Sequence, residues 1–190
     1  MLDFQPVREK KLTLQDLVRG LTKDDLRREL NDMYDEVSRL IADCTDRHVT
    51  FEPIDEKAED PYAAEGEETI SWNLGHLIVH LTASMEESAA IAAELARGVA
   101  YHGRSRSEVP WRDARTIAYC RARLAESRRM CLASLEMWPD VPDMENTYSP
   151  AEGAVPHTAV SRFASGLRHA SDHLGQIAEV VRQAKAALPE

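Results

Sequence analysis

The chain has 190 residues, 43% of them apolar and 29% charged, and a formal charge of −10. These values suit one soluble domain with a core large enough to fold unaided, and they exclude the basic footprint of a nucleic-acid-binding surface. No run of 18 uncharged apolar residues occurs, so no membrane span is expected, and the opening "MLDFQPVREKK" lacks the apolar heart of a signal peptide, which makes the cytoplasm the expected location.

Residues 1–20 read as an arm, with a short helix expected around 14–19 between Thr13 and Gly20. The first long segment, about 22–44, repeats apolar side chains in steps of four and three at Leu26, Leu30, Met33, Val37, Leu40 and Cys44, the spacing of an amphipathic helix. Thr22 suits its N-cap, and Asp24 and Asp25 suit the positive end of the helix dipole. A linker, about 45–70, follows. Within it "EPIDEKAEDPYAAEGEE" (52–68) sets eight acids against one lysine and reads as a solvated acidic loop.

The second segment, about 72–98, carries Leu74, Leu77, Ile78, Leu81, Met85 and Ala92, with Ser71 as its expected cap and Gly98 as its close. After a linker at 99–111, the third segment, about 112–138, carries Ile117, Cys120, Leu124, Cys131, Leu135 and Trp138, and Pro139 stops it. After a linker at 139–157, the fourth, about 158–187, carries Val160, Phe163, Leu167, Ala170, Leu174, Ile177 and Val181, with Pro189 just beyond.

No segment alternates with period two over a useful length, so the fold class is all-α and most simply a four-helix bundle, one domain over 1–190. The helices are about 34–45 Å long at 1.5 Å per residue. All three linkers exceed the roughly 2–8 residues of simple helix–helix connections, so they permit crossovers and are places where function resides. The first helix is rich in acids and the third in arginines (Arg112, Arg115, Arg121, Arg123, Arg128, Arg129). Those faces either pair across a surface or lend an arginine to a substrate carboxylate. Three scattered cysteines without a C-x-x-C, Cys44, Cys120 and Cys131, read as reduced, buried and inert.

The seven histidines carry the chemistry. Chance would place roughly a quarter of one i,i+4 histidine pair in such a chain, yet there are two, His76/His80 and His169/His173. Both fall in helical segments beside the apolar stripe. Side chains four apart on a helix lie about 5–6 Å apart on one face, so two imidazoles can share a metal ion. A third from another helix completes the three-ligand set of a catalytic zinc site, which leaves one position open. The spacing alone does not choose between His76 and His80.

"ISWNLGHLIVHLTASMEE" (70–87), followed far downstream by "RHASDHLGQIAEVVRQ" (168–183), resembles the DinB-like (DNA-damage-inducible) metal-binding superfamily. The matching features are the helix-start tryptophan, the His-Leu pair two turns on with an acid soon after, and a final-helix His-x-x-x-His-x-Gly-Gln-Ile. The resemblance implies a bundle of up-down-down-up topology with long crossover loops, often dimeric. It implies three metal ligands at His80, His169 and His173, with zinc or nickel as the expected ion. His76 becomes an extra histidine that is packed, substrate-facing or behind the ligands. Gly175 is expected to let a neighbouring helix approach, and Gln176 to orient a ligand or water, or to bond another helix.

Relatives of this kind include thiol-dependent enzymes, so the resemblance implies a metal-dependent hydrolase or thiol transferase acting on a small electrophilic substrate, with a low-molecular-weight thiol as a candidate co-substrate. No residue stands out as the general base; Glu87, two turns after His80 on the same face, is a candidate for a base or for a carboxylate behind the ligands, and otherwise reads as a surface glutamate. "YHGRSRSEVPW" (101–111), with Tyr101, His102, Arg104, Arg106 and Trp111, is a candidate pocket rim. Two other readings stand beside the enzyme: a metal-binding stress protein without chemistry of its own, and an interaction module whose histidines only hydrogen-bond in the core.

Overall fold

The computed structural model describes residues 1–61, 63, 65–103 and 109–188. Pro189, read above as the end of the last helix, and Arg104 and Arg106 of the candidate rim lie outside the described residues. The fold is all-helical: α1 Gln5–Arg8, α2 Leu14–Leu17, α3 Lys23–Leu40, α4 Asp46–Val49, α5 Leu74–Ala96, α6 Ile117–Glu136 and α7 Ala159–Ala187, with a 3-10 turn at Trp111–Asp113. Among the described residues there is no strand, and Tyr148 and His157 form one isolated bridge. No helix among them is long and apolar enough to cross a membrane.

Local chemistry sets the helix ends. Thr22 caps α3 through a reciprocal box with Asp25, and Thr158 caps α7 through one with Ser161. The second long helix starts later than expected. Its cap is Asn73, whose side chain accepts the His76 N–H at 2.9 Å, while the Ser71 hydroxyl donates to the Asp55 carbonyl. Asn is as good a cap as Ser, and here it sits one residue before the first helical position. Gly98 closes that helix at φ +78°, a left-handed conformation that glycine adopts without penalty. The third helix also starts late, at Ile117, because the Thr116 side chain accepts the Tyr119 N–H. The first ends at Leu40 rather than Cys44. The chain then turns into α4, where His48 Nδ1 accepts the Thr45 N–H at 3.1 Å, so this 4%-exposed histidine has a structural use.

α5 packs against both α6 and α7, and α3 packs against both as well. α5, LGHLIVHLTASMEESAAIAAELA, carries no charge along its first three turns and is buried around most of its circumference, as expected of a central helix. Leu77, Leu81 and Met85 are at most 1% exposed, and each such burial contributes about 1.5–3 kcal/mol. Two glycines set the spacing. A Cβ on Gly75 would strike the Ala114 carbonyl oxygen, and one on Gly166 would lie 2.7 Å from Ser88 Cβ. Gly175, expected to be the point of close approach, is exposed and has nothing within 4 Å of a built Cβ. It lies well around α7 from the Phe163–Gly166–Leu167–Ala170 stripe that meets the core.

The acid and arginine faces pair across α3 and α6, through Arg128–Asp35 at 2.7 Å and Arg27–Glu136 at 2.5 Å. Arg123 reaches inward to Glu86, which is 3% exposed. Removing one partner of such a buried pair costs about 3–5 kcal/mol. Beside it, the Tyr34 hydroxyl and Ser127 Oγ are 2.7 Å apart. All three cysteines are free and buried. Burial pushes the thiols of Cys120 and Cys131 up to about 12 and raises that of Cys44, so they are protonated and unreactive at neutral pH. The N-terminal arm is fastened down: Phe4 is 2% exposed, and Arg8 donates to Asp172 Oδ1 and Ser171 Oγ on α7, each at 2.7 Å.

Candidate metal centre

His80 projects from α5 toward α7, where His169 and His173 share a face one turn apart. The Nε2 atoms of His80 and His169 are 2.8 Å apart. The ring centroids are separated by 4.8 Å (His80–His169), 5.1 Å (His80–His173) and 4.7 Å (His169–His173). One ligand atom from each lies within 4.8 Å of the others. Nitrogens bound to one tetrahedral ion at about 2.0–2.1 Å are about 3.3 Å apart, so small side-chain rotations close the set.

The protonation states suit a cation. His173 Nδ1 is 3.0 Å from Gln176 Oε1. An amide oxygen only accepts, so Nδ1 carries the proton and Nε2 keeps its lone pair for the cluster. Two Nε2 atoms facing each other at 2.8 Å can share one proton at most, and a bound metal ion would take the place of that proton. Burial pushes His169 down to about 4, helped by the nearby charges of His173 and His80. Burial also lowers His173. Both rings are therefore neutral at pH 7, the form that binds metal.

Aromatic rings enclose the cluster. Trp72 lies 4.6 Å from His80 and 5.8 Å from His173, and stacks on His76 at 4.3 Å. On its far side His76 stacks parallel to Trp111 at 4.6 Å. The Arg112 guanidinium sits 4.3 Å over Trp111 and pairs with Glu67 at 2.6 Å.

A cavity of about 230 Å³ is lined by His173, Gln176 and Trp72, and its wall also includes Asp55, Lys57 and Glu59. Gln183 on α7 holds that wall, accepting the Ile54 N–H at 2.9 Å and donating to the Ile54 carbonyl at 3.1 Å. A larger, more apolar cavity, about 580 Å³, lies at the other end of α7 against Trp138 and Val160, and no histidine lines it.

A sequence model described as the DinB superfamily matches residues 13–177. The chain belongs to the DinB superfamily. No curated protein and no solved structure matches it.

In this DinB-superfamily chain the two histidine pairs play unlike parts. His169, His173 and His80 meet, whereas His76 is held between two indoles behind Trp72. Glu87 is half-buried two turns beyond His80, where its charge bears on Tyr148. The charges that bear on His169 and His173 are those of the other histidines, Asp172 and Arg168. Of the rim candidates, Trp111 stands beside the site. Tyr101 stacks on Tyr148, and His102 pairs with Glu94 near the far end of α5.

The acidic segment is the exposed loop expected of it, and Asp55 and Glu59 also line the cavity. Trp111, a rim candidate, joins the aromatic enclosure from 35 residues beyond His76. One feature escaped the sequence reading: Arg8 clamps Asp172, which lies between the two α7 histidines.

Proposed function

We propose that this DinB-superfamily chain is a metal-dependent enzyme, a hydrolase or thiol transferase acting on a small electrophilic substrate. The observation that carries the proposal is the convergence of His80, His169 and His173 to within 4.8 Å. The long helices are proposed to run up-down-down-up. Support comes from Arg27 with Glu136 and Arg121 with the Ala42 carbonyl between α3 and α6, His80 with His169 between α5 and α7, and Gly75 against Ala114 where α5 and α6 begin side by side.

The three histidines would hold one divalent ion, zinc or nickel. When bound, such an ion acts as a Lewis acid and acidifies a coordinated water or thiol. The protein's own part is positional. Gln176 fixes the His173 tautomer and aims Nε2 inward. Trp72, backed by His76 and Trp111, shields two ligand rings from water and keeps the local dielectric low. The cavity on His173 gives a small molecule access.

The test uses protein purified without a histidine tag and exposed to excess zinc or nickel. One equivalent should bind, and the His169→Ala/His173→Ala double variant should bind none. Turnover of electrophiles with low-molecular-weight thiols or water should exceed that of His173→Ala. Far less than one equivalent refutes the metal site. One equivalent with no turnover above the variant refutes the enzyme and leaves a metal-binding protein.

A further inference from the structure

We infer that the molecule this centre acts on is an extended one with a carboxylate about 10 Å from its metal-binding end, and that Arg162 holds that carboxylate. The inference rests on the metal reading above and names the substrate class of the same site.

Two lines of half-buried side chains carry it. On α5, where most positions are buried, the line continues from His80 to Ser84 and Glu87. On α7 it runs back from His169 to Ser165 and Arg162, in steps of four and three, so these residues share one face. The two lines lie side by side. His80 meets His169, and Gly166 packs against Met85 and Ser88, so forward along α5 is backward along α7. Arg162 and Glu87 therefore stand at the same end of one polar strip. Each is seven residues from a histidine of the cluster, a rise of about 10.5 Å.

Arg162 is set up to receive an anion. Its guanidinium carbon lies 6.0 Å over the Tyr148 ring, which Tyr101 backs at 4.2 Å. Its Nε is buried without a hydrogen-bond partner, a costly state for a charged donor. It makes no ion pair among the described residues, whereas Arg182 on the same helix pairs with Glu179, and Arg123 and Arg128 of α6 pair with Glu86 and Asp35. Arg168 also has a buried Nε without a partner, but it stands about 100° around α7 from His169, off the strip. The charges of both arginines bear on His157, and that of Glu87 bears on Tyr148. Among the described residues, two arginines against one glutamate leave this end positive. A carboxylate takes two parallel N–H bonds from a guanidinium fork, so it would use the donors that Arg162 leaves unpaired. The ion and Arg162 thus select the two ends of one small molecule.

The experiment uses the full chain loaded with cobalt(II), read by thiolate-to-cobalt charge-transfer absorption. The ligands are 6-mercaptohexanoate and 6-mercaptohexan-1-ol, equal in chain length and different in tail charge. Each is titrated into wild type, Arg162→Gln and Arg162→Lys. Relative to the alcohol, wild type should bind the carboxylate about tenfold or more tighter than Arg162→Gln does. Arg162→Lys should fall between them, because lysine keeps the charge and loses the fork. The alcohol should bind all three proteins alike, which shows the metal end intact. Should Arg162→Gln fail to fold, Arg162→Lys decides on the same ratio. An unchanged Kd ratio overturns the inference. Equal loss of both ligands also overturns it and gives Arg162 a structural role alone. Cobalt bound without an absorption band from either thiol overturns it and leaves the metal site standing. Failure to bind cobalt removes the metal reading itself.

Discussion

The same substitution at two positions of α7 should have opposite signs. Glycine in a helix interior costs about 1 kcal/mol relative to alanine, so Gly→Ala begins with a gain at either site. At Gly175 the new methyl meets nothing within 4 Å, and the gain should appear as a stabilisation of about 0.4–1 kcal/mol. At Gly166 the methyl would lie 2.7 Å from Ser88 Cβ and 3.3 Å from Met85 Sδ. Carbon atoms pack at about 3.5–4.0 Å, so α5 and α7 must separate locally by about 0.8 Å. Overpacking of this kind costs about 1–3 kcal/mol, which turns the balance into a net loss of up to about 2 kcal/mol.

The separation would also reach the metal centre, because His169 stands three residues from Gly166 while His80 is on the opposing helix. Ligand distances tolerate about 0.2 Å, so Gly166→Ala should weaken metal affinity by about tenfold or more, whereas Gly175→Ala should leave it unchanged. Urea denaturation gives the first pair of values, and chelator competition the second. Destabilisation by Gly175→Ala, or wild-type stability and affinity in Gly166→Ala, would refute the packing argument.

Gln176→Ala should keep the fold and weaken metal binding by about 10–100-fold by freeing the His173 tautomer; unchanged affinity in the chelator assay would deny Gln176 that role. Titration with copper(II) or nickel(II) should quench the fluorescence of Trp72, which lies 4.6 Å from His80, and of Trp111 behind His76, and Trp72→Phe/Trp111→Phe should remove most of the quenching, since Trp138 sits by the remote cavity. Undiminished quenching in that variant would place the ion elsewhere. His169 takes up a proton at about pH 4 in the folded, metal-free protein and at about 6.5 unfolded. The unfolded state therefore protonates first, and stability is full above about pH 6.5 and falls as pH drops toward 4, by about 2–3 kcal/mol. Urea midpoints of chelator-treated wild type and His169→Gln should diverge across that range, and parallel curves would contradict the cited shift.

Apolar periodicity placed the four long helices, and Thr22 and Gly98 marked two of their ends, because these signals are local. The three histidines that meet were legible for a related reason. His169 and His173 fall on one helical face, and the motif around His80 selected it over His76. What the sequence hid depends on contacts between distant segments. Whether Gly166 or Gly175 meets a neighbour depends on which side of α7 faces α5. Gly166 lies within the stripe of Phe163, Leu167 and Ala170, so that signal was present, but the motif drew attention to Gly175. The turn at Trp111–Asp113, the clamp of Arg8 on Asp172 and the wall formed by Asp55 and Glu59 have no periodicity of their own. Each is fixed by a partner far along the chain: His76, α7 and Gln183.

The central claim is that three imidazoles from two helices hold one ion. Crystals soaked in zinc or nickel, measured at the metal absorption edge, test it most directly. The account predicts a single anomalous peak within about 2.0–2.3 Å of one nitrogen from each of His80, His169 and His173. An empty centre, or a peak at other side chains while these rings keep their metal-free arrangement, would contradict it.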